Sequence, residues 1–87
     1  MIIPRIHWNG TSRDELLKQL ADARQAIDQA LDKMALATPH GRDYYVISDE
    51  AITEARKDHF ARISKLSEVL DELNQIADGV SMQEARG

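Results

Sequence analysis

The residues best equipped for chemistry are gathered in one short stretch. Between two long helix-patterned segments, the connection from Thr38 to Ser48 carries Pro39-His40-Gly41-Arg42-Asp43-Tyr44-Tyr45. A connection of this length is more often a binding loop than a spacer. Arg42 offers a planar fork that matches a phosphate or carboxylate, His40 a switchable donor, and Tyr44 and Tyr45 flat surfaces for a base or sugar. Gly41 allows the tight turn and close backbone approach that an anion requires. Arg56 and His59 lie one to three turns into the following segment, which in a hairpin sets them near the same loop. His40, Gly41, Arg42, Tyr44, Tyr45, Arg56 and His59 are therefore the candidate ligand-binding residues. A plainer reading stands beside this one: tyrosines next to a loop serve as packing lids, and a seam arginine pairs with an acid such as Asp43 or Asp32.

A second feature lies near the start of the chain. His7-Trp8-Asn9-Gly10-Thr11-Ser12 runs directly into a helix start, where free amides and hydroxyls favour an anion. Ordinary capping has the same composition and is the commoner explanation. If copies assembled head to tail, Arg5, His7, Trp8, Asn9 and Thr11 of one subunit would contribute to the loop site of another and build a composite pocket.

Other chemistries lack a basis. His7, His40 and His59 fall at no metal-like spacing, and there is no nucleophile elbow, P-loop or dinucleotide fingerprint. Neither a metal nor a cofactor is expected, and no enzyme. Net charge of −4 with charges of both signs argues against a broad basic face for bulk nucleic acid. Zero cysteines remove disulfides and thiolate metal sites. The opening Met1-Ile2-Ile3-Pro4-Arg5 is too polar for a signal peptide, no stretch suits a membrane, and the expected location is the cytoplasm.

Two helices have to position the loop. Ser12 followed by Glu15, with Thr11 and Asp14 one step earlier, forms a capping-box pattern. Leu16, Leu20, Ala23, Ile27, Ala30, Met34 and Ala37 then recur as a heptad seam, with Leu17 and Leu31 widening it. Thr38-Pro39 should stop this helix. Ser48 is the expected cap of the second helix, whose seam reads Ile52, Arg56, His59, Ile63, Leu66, Leu70, Leu73, Ala77 and Val80, with Gly79 as its stop. At roughly 1.5 Å per residue the helices would be about 39 and 45 Å long, close enough to pair. The reading is an all-α single domain: an extended arm over 1–10, helices over 11–38 and 49–79, a loop over 39–48 and a loose tail over 80–87. An antiparallel two-helix hairpin of this size has a thin core, so assembly with copies of itself into a homo-oligomeric helical bundle is expected.

The pairing of Ile6-His7-Trp8-Asn9-Gly10-Thr11-Ser12 with Pro39-His40-Gly41-Arg42-Asp43-Tyr44-Tyr45 resembles small phage and prophage proteins with an IHxNGTS … PxGRDYY layout, over nearly the whole chain. The resemblance implies a phage origin. In general build the chain is also similar to helical phage anti-defence proteins that oligomerise and sequester nucleotide signals of bacterial immunity. That likeness implies a small phosphorylated ligand, such as a cyclic or ADP-ribose-type nucleotide, held without turnover. The alternative is a phage structural, assembly or adaptor protein working through protein contacts.

Overall fold

The computed structural model describes residues 1–84. An arm precedes helix α1 (Arg13–Leu36), a single 3-10 turn (Gly41–Asp43) lies in the connection, and helix α2 (Ala51–Ser81) closes the chain order. The two helices pack against each other as a hairpin, and the molecule is a rod of 61 × 20 × 17 Å. Among the described residues there is no strand, and no helix is long and apolar enough to cross a membrane.

Local chemistry accounts for both ends of α1. The Ser12 hydroxyl accepts from the Glu15 amide at 3.2 Å, while Asp14 and Glu15 sit against the positive end of the helix. At its other end α1 stops at Leu36, two residues short of the expected Thr38. The Ala37 amide closes on Lys33 and Met34, and the Thr38 amide and hydroxyl both turn back to the Ala35 carbonyl. Proline at 39 thus enforces a stop that these turn bonds already prepare.

The ends of α2 differ more from expectation. Ser48 does not cap it with its side chain. Glu50 is the capping residue and makes no side-chain bond, and Ser48 offers only its carbonyl to the Ala51 amide at 3.4 Å. Gly79 is not the stop either, because the helix runs on through Ser81 and Val80 is the most deeply buried of the described residues, at 0% exposure. The predicted loose tail therefore begins too early. Residues 80–81 are helical, Gln83 is tied down, and Ala85, Arg86 and Gly87 of that tail lie outside the described residues.

The core is a narrow line rather than a centre. Along α2 the predicted seam faces inward at every position but Arg56, which is exposed: His59, Ala77 and Val80 are buried, and Ile52, Ile63, Leu66, Leu70 and Leu73 are partly covered. α1 buries no residue completely, and its seam positions Ala23 and Ala37 are exposed. Arg24, the residue after Ala23, donates from Nη1 to Oδ1 of Asn74 at 2.8 Å across the hairpin. A polar crossbrace thus interrupts the apolar line at mid-length.

The arm lies along the end of α2 and is fastened there by one side chain. Gln83 Oε1 accepts from the Ile6 amide at 2.8 Å, and Gln83 Nε2 donates to the Pro4 carbonyl at 2.7 Å and the Gly79 carbonyl at 3.2 Å. A primary amide suits this task because it presents a donor and an acceptor side by side. Ile6 is buried, and Ile3 rests over Gly79, where an added Cβ would stand 2.6 Å from the Ile3 Cγ2 methyl. Gly79 is thus a place of close approach inside a helix. Arg13 completes this end, donating from Nη2 to the Ser81 carbonyl at 2.8 Å. Since α2 has no basic residue in its last turn, Arg13 supplies from α1 the positive charge that its carbonyl end favours.

Candidate functional site

The connection is folded by its own hydrogen bonds. His40 Nδ1 accepts from the Arg42 amide at 3.2 Å, while the Asp43 amide donates to the His40 carbonyl and the Tyr44 and Tyr45 amides donate to the Gly41 carbonyl, each at 3.0 Å. An imidazole in place of the usual Asx or Ser side chain therefore caps the 3-10 turn. With Nδ1 serving as acceptor, Nε2 carries the proton of neutral His40 and remains able to donate outward. The turn continues to the Ile47 amide, which donates to the Tyr44 carbonyl at 2.9 Å.

The seven candidate residues divide once their surroundings are known. Arg42 is exposed, and among the described residues its guanidinium meets no acceptor. Tyr45 is 70% exposed and Tyr44 half-buried, so the Tyr45 phenol projects while Tyr44 is partly covered. Arg56 is exposed and crosses the mouth of the loop, donating from Nε to the Pro39 carbonyl at 3.3 Å. It pairs with neither Asp43 nor Asp32. His59 is turned inward. At 5% exposure it is the one buried polar residue among those described, and its Nε2 donates to the Met34 carbonyl at 2.7 Å. The Phe60 ring stands edge-on to it at 6.0 Å. In the single chain His59 is therefore occupied as a bolt between the helices, whereas His40, Arg42 and Tyr45 present their groups outward.

No residue from 39 to 48 is buried. A ligand at this end would have to be walled in by something besides the single chain. Tyr45, Val46 and Ile47 are consecutive and 70 to 74% exposed, and Leu36, the last residue of α1, is 81% exposed. Such a run of apolar surface beside an unpaired guanidinium marks an unfinished contact zone. The neighbouring residues most easily overlooked from sequence are Val46 and Ile47: they carry no reactive group, and only their exposure distinguishes them.

The candidates for a second-subunit contribution lie at the opposite end of the rod. Arg5 and His7, with Ile6, Gln83 and Glu84, line an open hollow of about 470 Å³. The His7 carbonyl accepts from the Gly10 amide at 3.1 Å, and the His7 ring lies under Gly10, where a Cβ would meet Nε2 at 2.8 Å. Trp8 is 77% exposed, and Asn9 and Thr11 are exposed as well. Within one chain these groups and the loop do not meet, because the length of α1 separates them. A further hollow of about 300 Å³ lies at mid-length beside the Arg24–Asn74 crossbrace.

Among the described residues, no three His, Asp or Glu side chains converge closely enough to hold a metal ion. The ion pairs seen are Arg13 with Asp14 and Lys18 with Asp22, both within α1. The Asp22 carboxylate raises the Lys18 ammonium above its ordinary value through a hydrogen bond and its charge. No protein-family model, curated protein or solved structure matches this chain.

Proposed function

We propose that this chain is a phage-encoded, homo-oligomeric binder of a small phosphorylated ligand, a cyclic or ADP-ribose-type nucleotide that serves as a signal of host anti-phage defence. It sequesters that ligand in the host cytoplasm without turning it over. The observation that carries this reading is Arg42. Its backbone is pinned by His40 Nδ1 while its guanidinium has no acceptor among the described residues. A fixed backbone lowers the ordering cost of binding, and an unpaired guanidinium is a ready partner for a phosphate. Tyr45 supplies a ring face beside it, and His40 Nε2 a further donor.

A second reading has its own support. The exposed run Tyr45-Val46-Ile47 suits protein contact as well as ligand enclosure, which favours a structural, assembly or adaptor role. Thermal melting against a panel of cyclic and linear nucleotides separates the two. A true ligand at a hundred times its dissociation constant adds about 2.7 kcal/mol. Absence of a shift with every nucleotide favours the adaptor, and product formation on prolonged incubation would replace sequestration with catalysis.

A further inference from the structure

Resting on the reading of the loop as a site completed by another copy, we infer that two chains pair side by side and antiparallel, about a twofold axis across the middle of the rod. The arm end of each chain then covers the loop end of the other. Three observations lead there.

The first is the distribution of apolar surface. Of the large apolar side chains that face solvent, all but Val69 lie toward one end of the rod or the other. Ile2, Ile3, Trp8 and Met82 mark the arm end, and Leu36, Tyr45, Val46, Ile47 and Phe60 the loop end. An end-to-end contact would cover one group and leave the other in water. A side-by-side pair covers both, and the antiparallel one sets arm against loop twice and closes on itself.

Charge is the second. From residue 1 through Ser12, ahead of α1, the arm contains the cation Arg5 and no acid, while residues 39–50 set Asp43, Asp49 and Glu50 against the single cation Arg42. Arm and loop are thus complementary, whereas loop against loop would bring like charges together. The third is area. A folded monomer of this mass exposes roughly 5,200 Å² on the usual scaling, and this chain exposes 6571 Å². The surplus, on the order of 1,000 Å², exceeds the roughly 800 Å² that each partner gives to a standard interface.

The Gln83 clasp makes the arm a fitting cover. With Pro4 and Ile6 held by hydrogen bonds, Trp8 is presented from a fixed base, and docking does not have to order a free segment. In the pair, Trp8 of one copy reaches the Arg42 and Tyr45 region of the other, where an indole face suits a guanidinium or a stacked base.

The test uses the full chain, without nucleotide. Sedimentation should give twice the 9.8 kDa of one chain; a monomer at tens of micromolar overturns the inference. Because the chain has no cysteine and both positions are exposed, Asn9→Cys, beside the retained Trp8, and Val46→Cys are the reporters. Co-expressed single variants should cross-link to each other on oxidation, and neither should cross-link alone. A Val46→Cys dimer formed alone would show loop-to-loop pairing and overturn it. The double variant should stop at a covalent dimer, while a ladder of higher species would reveal an open chain instead. Nucleotide melting is independent of all three readouts, so a failure of the pairing and a failure of the ligand reading are told apart.

Discussion

His59 Nε2 donates to the carbonyl of Met34 at 2.7 Å, joining the second turn-pair of α2 to the last turns of α1. A carbonyl can only accept, so this bond requires the Nε2–H form. The same carbonyl also receives the Ala37 amide at 3.1 Å, so one oxygen both ends α1 and receives α2. His59→Ala is expected to cost roughly 1–3 kcal/mol in urea unfolding, through the lost bond and the space left behind. His59→Gln, which keeps a donor, should recover part of that loss. Neither should remove a nucleotide-induced melting shift, since the Nε2 group faces the helix partner.

The Gln83 clasp predicts a local effect. Gln83→Ala removes three hydrogen bonds to the arm and to Gly79, and the Ile6 amide should then exchange with solvent well before the helices open. Global stability should fall by about 1–2 kcal/mol. Unchanged protection at Ile6 would show that burial of Ile6 alone holds the arm.

Arg13 carries charge to the far helix. Arg13→Ala should lower stability by about 1 kcal/mol, because the Ser81 carbonyl loses a charged donor at the negative end of α2. Lys18→Ala, by contrast, should leave the melting temperature unchanged at neutral pH. Its ion pair with Asp22 is 76 and 62% exposed, and surface pairs of this kind are screened by solvent. Since the pair raises the Lys18 value, whatever it adds is present at neutral pH and fades as alkaline pH removes the ammonium proton.

Val80 is the most deeply buried side chain among the described residues. Val80→Ala should destabilise the chain by roughly 1–3 kcal/mol, and more than the same change at Val69, which is 44% exposed. Equal losses at the two positions would mean that Val69 is covered in the assembled protein.

Arg42 separates function from folding. Arg42→Ala should abolish the nucleotide-induced melting shift while helicity stays as it is, because within one chain its side chain has no partner among the described residues to lose. A variant that kept the full shift would take the loop out of the binding site.

Much of the architecture was legible in order and spacing. Ser12 ahead of Glu15, the seam from Leu16 to Met34, proline after Thr38, and the α2 seam through Val80 are patterns of three and four residues, set by the pitch of a helix whatever lies beside it. Spacing could also name the loop, since the types that cap and bind are concentrated there. What it could not settle was which way a given polar group would turn. His59 and Arg56 occupy equivalent seam positions, yet His59 is buried and Arg56 lies across the mouth of the loop, because only the first faces a carbonyl of α1 at hydrogen-bond distance. The Gln83 clasp and the Arg13 contact join residues 68 to 79 positions apart. No local pattern carries that information. Helix pitch is fixed by the chain itself, but the register of two helices and the path of the arm are decided by which side chains fit together, and Gly79 shows it: composition marked it as an end, and packing against Ile3 made it a point of contact.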